Sequence, residues 1–266
     1  MRYPISLQRC VMRRVVVKVG THVLSEQNRL CKERILNLVE FLVSLMEKYE
    51  VILVSSGAVA AGYSTLKLDK SLLQNRQAIA AVGQPQLMAV YNKKLEKFGK
   101  SGAQLLLTAD DFDSRNRCAH AKCTIDTLLS HGILPIINEN DATATEELVF
   151  GDNDQLSSRV AYYFGADLLI LLSDIDGYYD KDPHKHTDAT MRKIVHEIEA
   201  SELEMEKSAN FAFATGGIVT KLKAADFLLE RKKSMFIASG FDLSDVKSFM
   251  LHGVHKGGTL FTCKNL

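Results

Sequence analysis

Short, unbroken apolar runs alternate along this chain with longer stretches in which apolar residues recur every three or four positions. Arg13–Val19 (RRVVVKV) is rich in β-branched valine and predicts a strand, buried apart from Lys18, that ends at Gly20-Thr21-His22. Leu30–Tyr49 carries Ile35, Leu38, Val39, Leu42, Val43 and Met46 at the spacing of an amphipathic helix. Val51–Val54 reads as a second buried strand, followed by Ser55-Ser56-Gly57-Ala58 and a small-residue helix over Val59–Gly62. Ser71–Phe98 is expected to be mainly helical, with a break near Gly83-Gln84-Pro85 because proline lacks the N–H that a helix interior needs. Further on, Ala103–Leu107, Ile133–Ile137, Asp167–Leu172 and Ser234–Ala238 predict strands. Between them Ser114–Ser130, Asp154–Phe164 and a segment opened by Thr215-Gly216-Gly217 and running to Arg231 predict helices. Ser173–Thr190 reads as a polar loop, Met191–Met205 as a connection with a short helix, and the chain closes near Gly258-Thr259-Leu260-Phe261.

Apolar strands alternating with helices imply the α/β class, with a mostly parallel sheet covered on both faces. No repeat and no linker-like composition divides the chain, so residues 13–266 are expected to form one domain. Residues 1–12 have no clear period, precede a second methionine, Met12, and read as a loose extension.

Composition narrows the function. With 266 residues, 46% of them hydrophobic, the chain can bury a large core. A net charge of +1 offers no general attraction to nucleic acid or to an anionic membrane, and neither is expected as a partner. No apolar run reaches the roughly 18–20 residues of a membrane span, and the N-terminus lacks the apolar core of a secretion signal. Five cysteines, an odd number, suit a reducing cytoplasm better than a disulfide framework. Cys118, His120 and Cys123 do not have the spacing of a structural zinc site and read as ordinary helix residues.

The chemistry gathers where strands end. Four polar, glycine-bearing or Asn/Asp-rich turns follow strands, at Lys18–Thr21, Ser55–Ala58, Asn138–Asp141 and Ser173–Gly177. In a parallel sheet such ends lie along one edge, where open α/β folds place their ligands. A second polar cluster, Gly151-Asp152-Asn153-Asp154, leads straight into a helix. Asn and Asp also serve as plain turn and cap residues, yet two such clusters beside one strand end read together as a site. Lys18 sits one residue from the end of a β-branched strand, awkward unless its ammonium reaches an anion or water. The Thr215–Lys221 segment places glycines before a helix, where backbone donors meet the positive end of the dipole, and Lys221 adds a mobile cation. The chain has no G-x-x-x-x-G-K-[ST], no G-x-G-x-x-G opening a helix, no protein-kinase signature, no H-E-x-x-H and no G-x-S-x-G. Ser56 therefore reads as a hydrogen-bond donor to substrate rather than a nucleophile.

Seven segments together resemble the amino acid kinase superfamily. They are VVVKVGTHVL (Val15–Leu24), VSSGAVAAG (Val54–Gly62), AAVGQPQLM (Ala80–Met88), LPIINENDATAT (Leu134–Thr145), FGDNDQLSSRVA (Phe150–Ala161), LLSDIDGYYDKDP (Leu171–Pro183) and TGGIVTKLKAA (Thr215–Ala225). INENDA with GDND is similar to the branch that phosphorylates L-glutamate. The resemblance implies a three-layer α/β/α sandwich and transfer of the ATP γ-phosphoryl group to the side-chain carboxylate of L-glutamate, the first step of proline biosynthesis. It implies that Lys18 and Lys221 stabilise the transferring group and that Asp154 holds both lysines. Ser56, Asp141 and Asn153 would bind glutamate, with Asn138 and Asp152 close by. Asp141 is the carboxylate for the α-ammonium group, while Ser56, Asn153 and backbone amides supply donors for the α-carboxylate. Lys18, Ser173, Asp174, Thr215, Gly216, Gly217, Ile218, Val219, Thr220 and Lys221 would contact ATP. Mg²⁺ bridging the phosphates is implied by the chemistry, with no ligand set identifiable. The resemblance also implies a cytoplasmic homo-oligomer, dimer or tetramer, open to feedback inhibition by proline. Ser173, Ala214, Ile218 and His120 depart from the residues common in the family, and the RNA-binding-like PUA domain that follows in many relatives is not expected here.

Overall fold

The computed structural model describes residues 14–143, 153–181, 186–203 and 217–263. Eight strands form one sheet in the order β5-β6-β4-β1-β7-β9-β10-β8. These are β1 (Arg14–Val19), β4 (Glu50–Ser55), β5 (Gly102–Leu107), β6 (Leu134–Glu139), β7 (Leu168–Ser173), β8 (Ile194–Val195), β9 (Ser234–Ser239) and β10 (Thr259–Phe261). The six from β5 to β9 run parallel, whereas β10 pairs antiparallel with β9 and carries β8 beside it.

The period-two alternation of strand side chains feeds two cores. Val15, Val17 and Val19 point to one face, where they meet α2 (Lys32–Met46), α4 (Leu73–Leu95) and α10 (Ser244–His252) through Ile35, Leu42, Leu87, Tyr91 and Val246. Val16, Ile52, Val54 and Ile137 point to the other face, against α7 (Asn153–Tyr163) and α9 (Gly217–Leu229) through Leu156, Val160, Val219 and Leu222. Each fully buried Val or Leu contributes roughly 1.5–3 kcal/mol, so the sheet is held from both sides and the fold is a three-layer α/β/α sandwich. Among the described residues no helix is long and apolar enough to cross a membrane.

Three local features differ from the sequence reading. The helix expected from Leu30 starts at Lys32, because Arg29–Leu30 (β3) pairs with Ser25–Glu26 (β2) in a small hairpin. Its turn residues Gln27 and Asn28 adopt φ of 48° and 59°. A last helix, α10, follows β9 and was not anticipated.

The third difference concerns the stretch expected to break. Helix α4 runs unbroken through Pro85. A proline in a helix interior costs about 3 kcal/mol, and buried Ile79, Ala80, Leu87 and Tyr91 on both sides of it anchor the helix against the fold. Gly83 serves close approach rather than a turn. A Cβ there would fall 1.8 Å from the Ala58 carbonyl oxygen, and one on Gly62 would fall 1.9 Å from that of Ile79. Two glycines thus let α4 lie directly on α3 (Ala58–Tyr63), the short helix that follows β4. Gly83→Ala is expected to lower stability by about 3 kcal/mol or more, since backbone rather than a flexible side chain blocks the added methyl. Urea denaturation reads the loss, and an unchanged midpoint would mean that the two helices separate at no cost.

Candidate active site

The parallel strands end along one edge, and six of the residues singled out from sequence, Lys18, Asp154, Lys221, Ser56, Asn138 and Asn153, come together there. Lys18 lies on β1 at an even position, so it faces α7 and α9 with Val16 rather than the core below. It is only 1% exposed. An ammonium so deeply buried costs several kcal/mol unless it is paired. Its partner is Asp154 in the first turn of α7, itself 0% exposed, with Nζ 2.5 Å from Oδ1. The other oxygen, Oδ2, accepts from Lys221 Nζ at 3.1 Å and from the Thr220 hydroxyl at 3.1 Å. Burial pushes the Asp154 carboxyl up, but the charges of Lys18 and Lys221 and their hydrogen bonds outweigh it and hold the group below the ordinary carboxylate range.

Lys221, expected to be a mobile cation, is buried and fixed. Besides Asp154 it donates to the Gly217 carbonyl at 2.8 Å, closing the first turn of α9. Gln155 of α7 donates to the Thr220 carbonyl at 3.4 Å, so the two helix starts are tied to each other. Ile218 and Val219 place their side chains in the core, leaving their backbone for any contact with a nucleotide.

The two Asn/Asp clusters meet beside this charged triad. Asn153 Nδ2 donates to Asn138 Oδ1 at 2.8 Å and to Ser56 Oγ at 3.0 Å. Its two hydrogens are thereby used, whereas the Ser56 hydroxyl keeps its own for another acceptor. Gly57 between Ser56 and α3 has φ of 106°, a left-handed conformation that favours glycine. Gly20 has an ordinary extended conformation, so the turn after β1 does not rest on that property. Asn153 and Asp154 are sequence neighbours, yet one reaches toward β4 and β6 and the other toward β1 and α9.

At the end of β7, the Ser173 hydroxyl donates to Asp174 Oδ1 at 2.8 Å, and His22 Nδ1 lies 3.4 Å from Asp174 Oδ2. Burial raises the Asp174 carboxyl, and the Ser173 bond with the charges of Lys221 and His22 brings it below its usual value. Asp141, two residues past β6, behaves oppositely. Burial lifts its carboxyl to about 6, only partly countered by the charge of Arg76 on α4. Sequence reasoning missed Arg76, Thr220 as a partner of Asp154, and His22 as a partner of Asp174. The first is an exposed arginine on a helix, which carries no signal of its own. Asp152, Thr215 and Gly216 lie outside the described residues.

A carboxylate held between two buried ammonium groups, next to an amide–hydroxyl cluster and at the mouth of two helix N-termini, is suited to binding two anionic partners side by side. The amino acid kinase family profile matches residues 13–239. The chain is 57% identical over 255 residues to a glutamate 5-kinase of Wolinella succinogenes, covering 94% of this chain and 98% of that protein. A glutamate 5-kinase of Leishmania donovani is 54% identical over 250 residues, 94% and 95% of the two chains. Among solved structures, an isopentenyl phosphate kinase product complex from T. acidophilum aligns with a TM-score of 0.63 at 15% identity, over 93% of this chain and 99% of that one. That likeness is one of fold.

Two stability predictions follow from the electrostatics. Asp154→Asn removes the charge between two buried ammonium groups and is expected to cost about 3–5 kcal/mol in urea denaturation; a loss under 1 kcal/mol would show the triad to be solvated. Asp141→Asn is expected to stabilise the protein, with a distinct pH signature. Because its folded value lies above the ordinary one, the wild type loses stability as pH rises from about 4 to about 6, where the unfolded chain ionises first. The variant's gain in melting temperature should be absent near pH 4 and complete near pH 7.5. An equal gain at both pH values would contradict the assignment.

Proposed function

The chain belongs to the amino acid kinase family and, within it, to the glutamate 5-kinases, and on that premise we propose how its residues divide the work of phosphorylating L-glutamate. ATP donates its γ-phosphoryl group to the side-chain carboxylate, giving L-glutamyl 5-phosphate, the first committed intermediate on the way to proline. The observation that carries the reading is the pair of buried ammonium groups, Lys18 and Lys221, on either side of Asp154.

The acceptor carboxylate has an ordinary pKa of about 4.3 and is already ionised at neutral pH, so no general base is needed. The barrier is electrostatic, since an anion must approach a polyphosphate. Two unit charges 4 Å apart interact by about 4 kcal/mol at an effective dielectric near 20. Lys18 and Lys221 offset this repulsion and stabilise the charge that spreads over the equatorial oxygens in a loose, in-line transition state. Asp154 keeps both ammonium groups charged and aimed. Ser56, Asn138 and Asn153 line the acceptor side, and Asp141 takes the α-ammonium group. Ser173, Asp174 and the Thr215–Lys221 segment, Gly216 and Gly217 included, hold the nucleotide, with Ile218, Val219 and Thr220 contributing through their backbone.

A divalent cation such as Mg²⁺ would supply further charge neutralisation to the bound nucleotide. Among the described residues no three metal-ligating side chains stand together, and both Asp154 oxygens are engaged by nitrogen and hydroxyl donors. These residues fit an ion carried mainly by the phosphates of the nucleotide rather than by a protein cage. The same reading makes residues 13–266 one catalytic domain of a cytoplasmic homo-oligomer subject to proline feedback; the odd cysteine count supports the compartment.

The test is ATP consumption with L-glutamate, the acyl phosphate being trapped as a hydroxamate. Lys18→Met and Lys221→Met should each lower kcat by about 10²–10³-fold, the scale of losing one preorganised charge in a transition state. Circular dichroism should show a retained fold, because Asp154 keeps one ammonium partner. Near-normal turnover in both variants would remove their assigned role, and faster turnover of another acceptor would overturn the choice of glutamate.

A further inference from the structure

The acceptor side, as built so far, has a carboxylate for the amino acid's ammonium group but no cation for its α-carboxylate. Lys18 and Lys221 are committed to Asp154, and His22 stands by Asp174 on the nucleotide side. Both Asn153 donors are engaged by Asn138 and Ser56. A hydroxyl and backbone amides alone would have to neutralise a full negative charge.

Helix α4 supplies a candidate through its placement. Near its C-terminal end, Asn92 Oδ1 accepts from the Gly102 amide at the start of β5, which lies at the opposite edge of the sheet. Tyr91 reaches upward from there to bond the Ser55 hydroxyl at 2.8 Å. Farther along, Gly83 abuts Ala58, just beyond the end of β4. The helix therefore spans the sheet from edge to edge. Arg76 lies seven residues before Gly83, about 10 Å farther along the axis at 1.5 Å per residue, which carries it past the strand ends. Asp141, two residues beyond β6, occupies the same margin. The charge of Arg76 acts on Asp141, yet no ion pair within 4 Å joins them among the described residues. Neither side chain has another hydrogen-bond or ion-pair partner there. Arg76 is exposed, so it is open to a ligand.

An opposite-charge pair in reach but not in contact matches the two charges of an amino acid's head, which are also opposite and adjacent. Resting on the function proposed above, we propose that Arg76 receives the α-carboxylate of the acceptor while Asp141 receives its α-ammonium group, so that the two residues together select a free α-amino acid. Neither charge takes part in phosphoryl transfer. The pair acts in recognition, orienting the distal carboxylate toward Lys18 and Lys221. An acceptor whose α-carboxylate is masked as an amide would leave the guanidinium without its anion.

The test compares L-glutamate with its α-amide, which keeps the ammonium group and the reacting carboxylate. In Arg76→Gln the KM for L-glutamate should rise about 10–100-fold, the scale of a lost charge-assisted bond, with kcat within about threefold. The affinity of the α-amide, read as turnover or as competitive inhibition, should change less than about twofold. Arg76→Lys should recover part of the loss, as a point charge without the planar fork. Because Arg76 is exposed, an unchanged melting temperature is expected in both variants. A KM for L-glutamate within twofold of wild type, or an equal loss for glutamate and its α-amide, would overturn the proposal. Failure of the wild-type protein to form any hydroxamate from L-glutamate would instead count against the underlying function, so the two failures are separable.

Discussion

One carboxylate sets the terms for everything around it. Asp154 is fully buried, and its two oxygens are each claimed by an ammonium group that is also buried. Each of the three charges depends on having an opposite charge beside it, because an isolated buried ion costs several kcal/mol. Their mutual dependence joins parts of the chain far apart in sequence: the first strand, the start of α7 and the start of α9. The sheet between them can be a plain apolar scaffold because this polar junction decides where its upper margin closes. On the proposed function, structure and chemistry draw on the same three residues, so that folding itself would aim the cations.

Some of this was legible in the sequence, for definable reasons. Buried parallel strands leave near-continuous apolar runs, as at Val15–Val19 and Leu168–Leu172. Lys18 stood out because it broke such a run. The Asn138 and Asn153 clusters stood out because two cap-like groups flanked a single strand end, and the Asn153–Asn138 bond is the physical reason for both. Position along one sheet edge did the rest, since parallel topology alone brings strand ends together.

What escaped the sequence depended on packing or on charge at a distance. Pro85 is a helix breaker by local rules, and only the burial of residues on both sides of it keeps α4 whole. Gly83 suggested a turn, whereas its lack of a side chain serves the contact with α3. Helix α10 is short and weakly patterned. Arg76 belongs to the same class of omission: an exposed arginine on a helix is an ordinary surface residue, and only the span of α4 across the sheet sets it apart. Local propensity was overruled where tertiary contacts were dense, and nothing local could have announced those contacts.

The adjacency of Asn153 and Asp154 has a geometric corollary. On the proposed function, the side chains serving the acceptor and donor sides spring from consecutive Cα atoms, which a trans peptide holds about 3.8 Å apart. Were the donor and acceptor stations carried on separate elements, motion at the seam between them would stretch or shrink the distance. Here the gauge between them is covalent. The helix can tilt or rotate as a unit and carry both stations with it, but it cannot lengthen the step from one to the other.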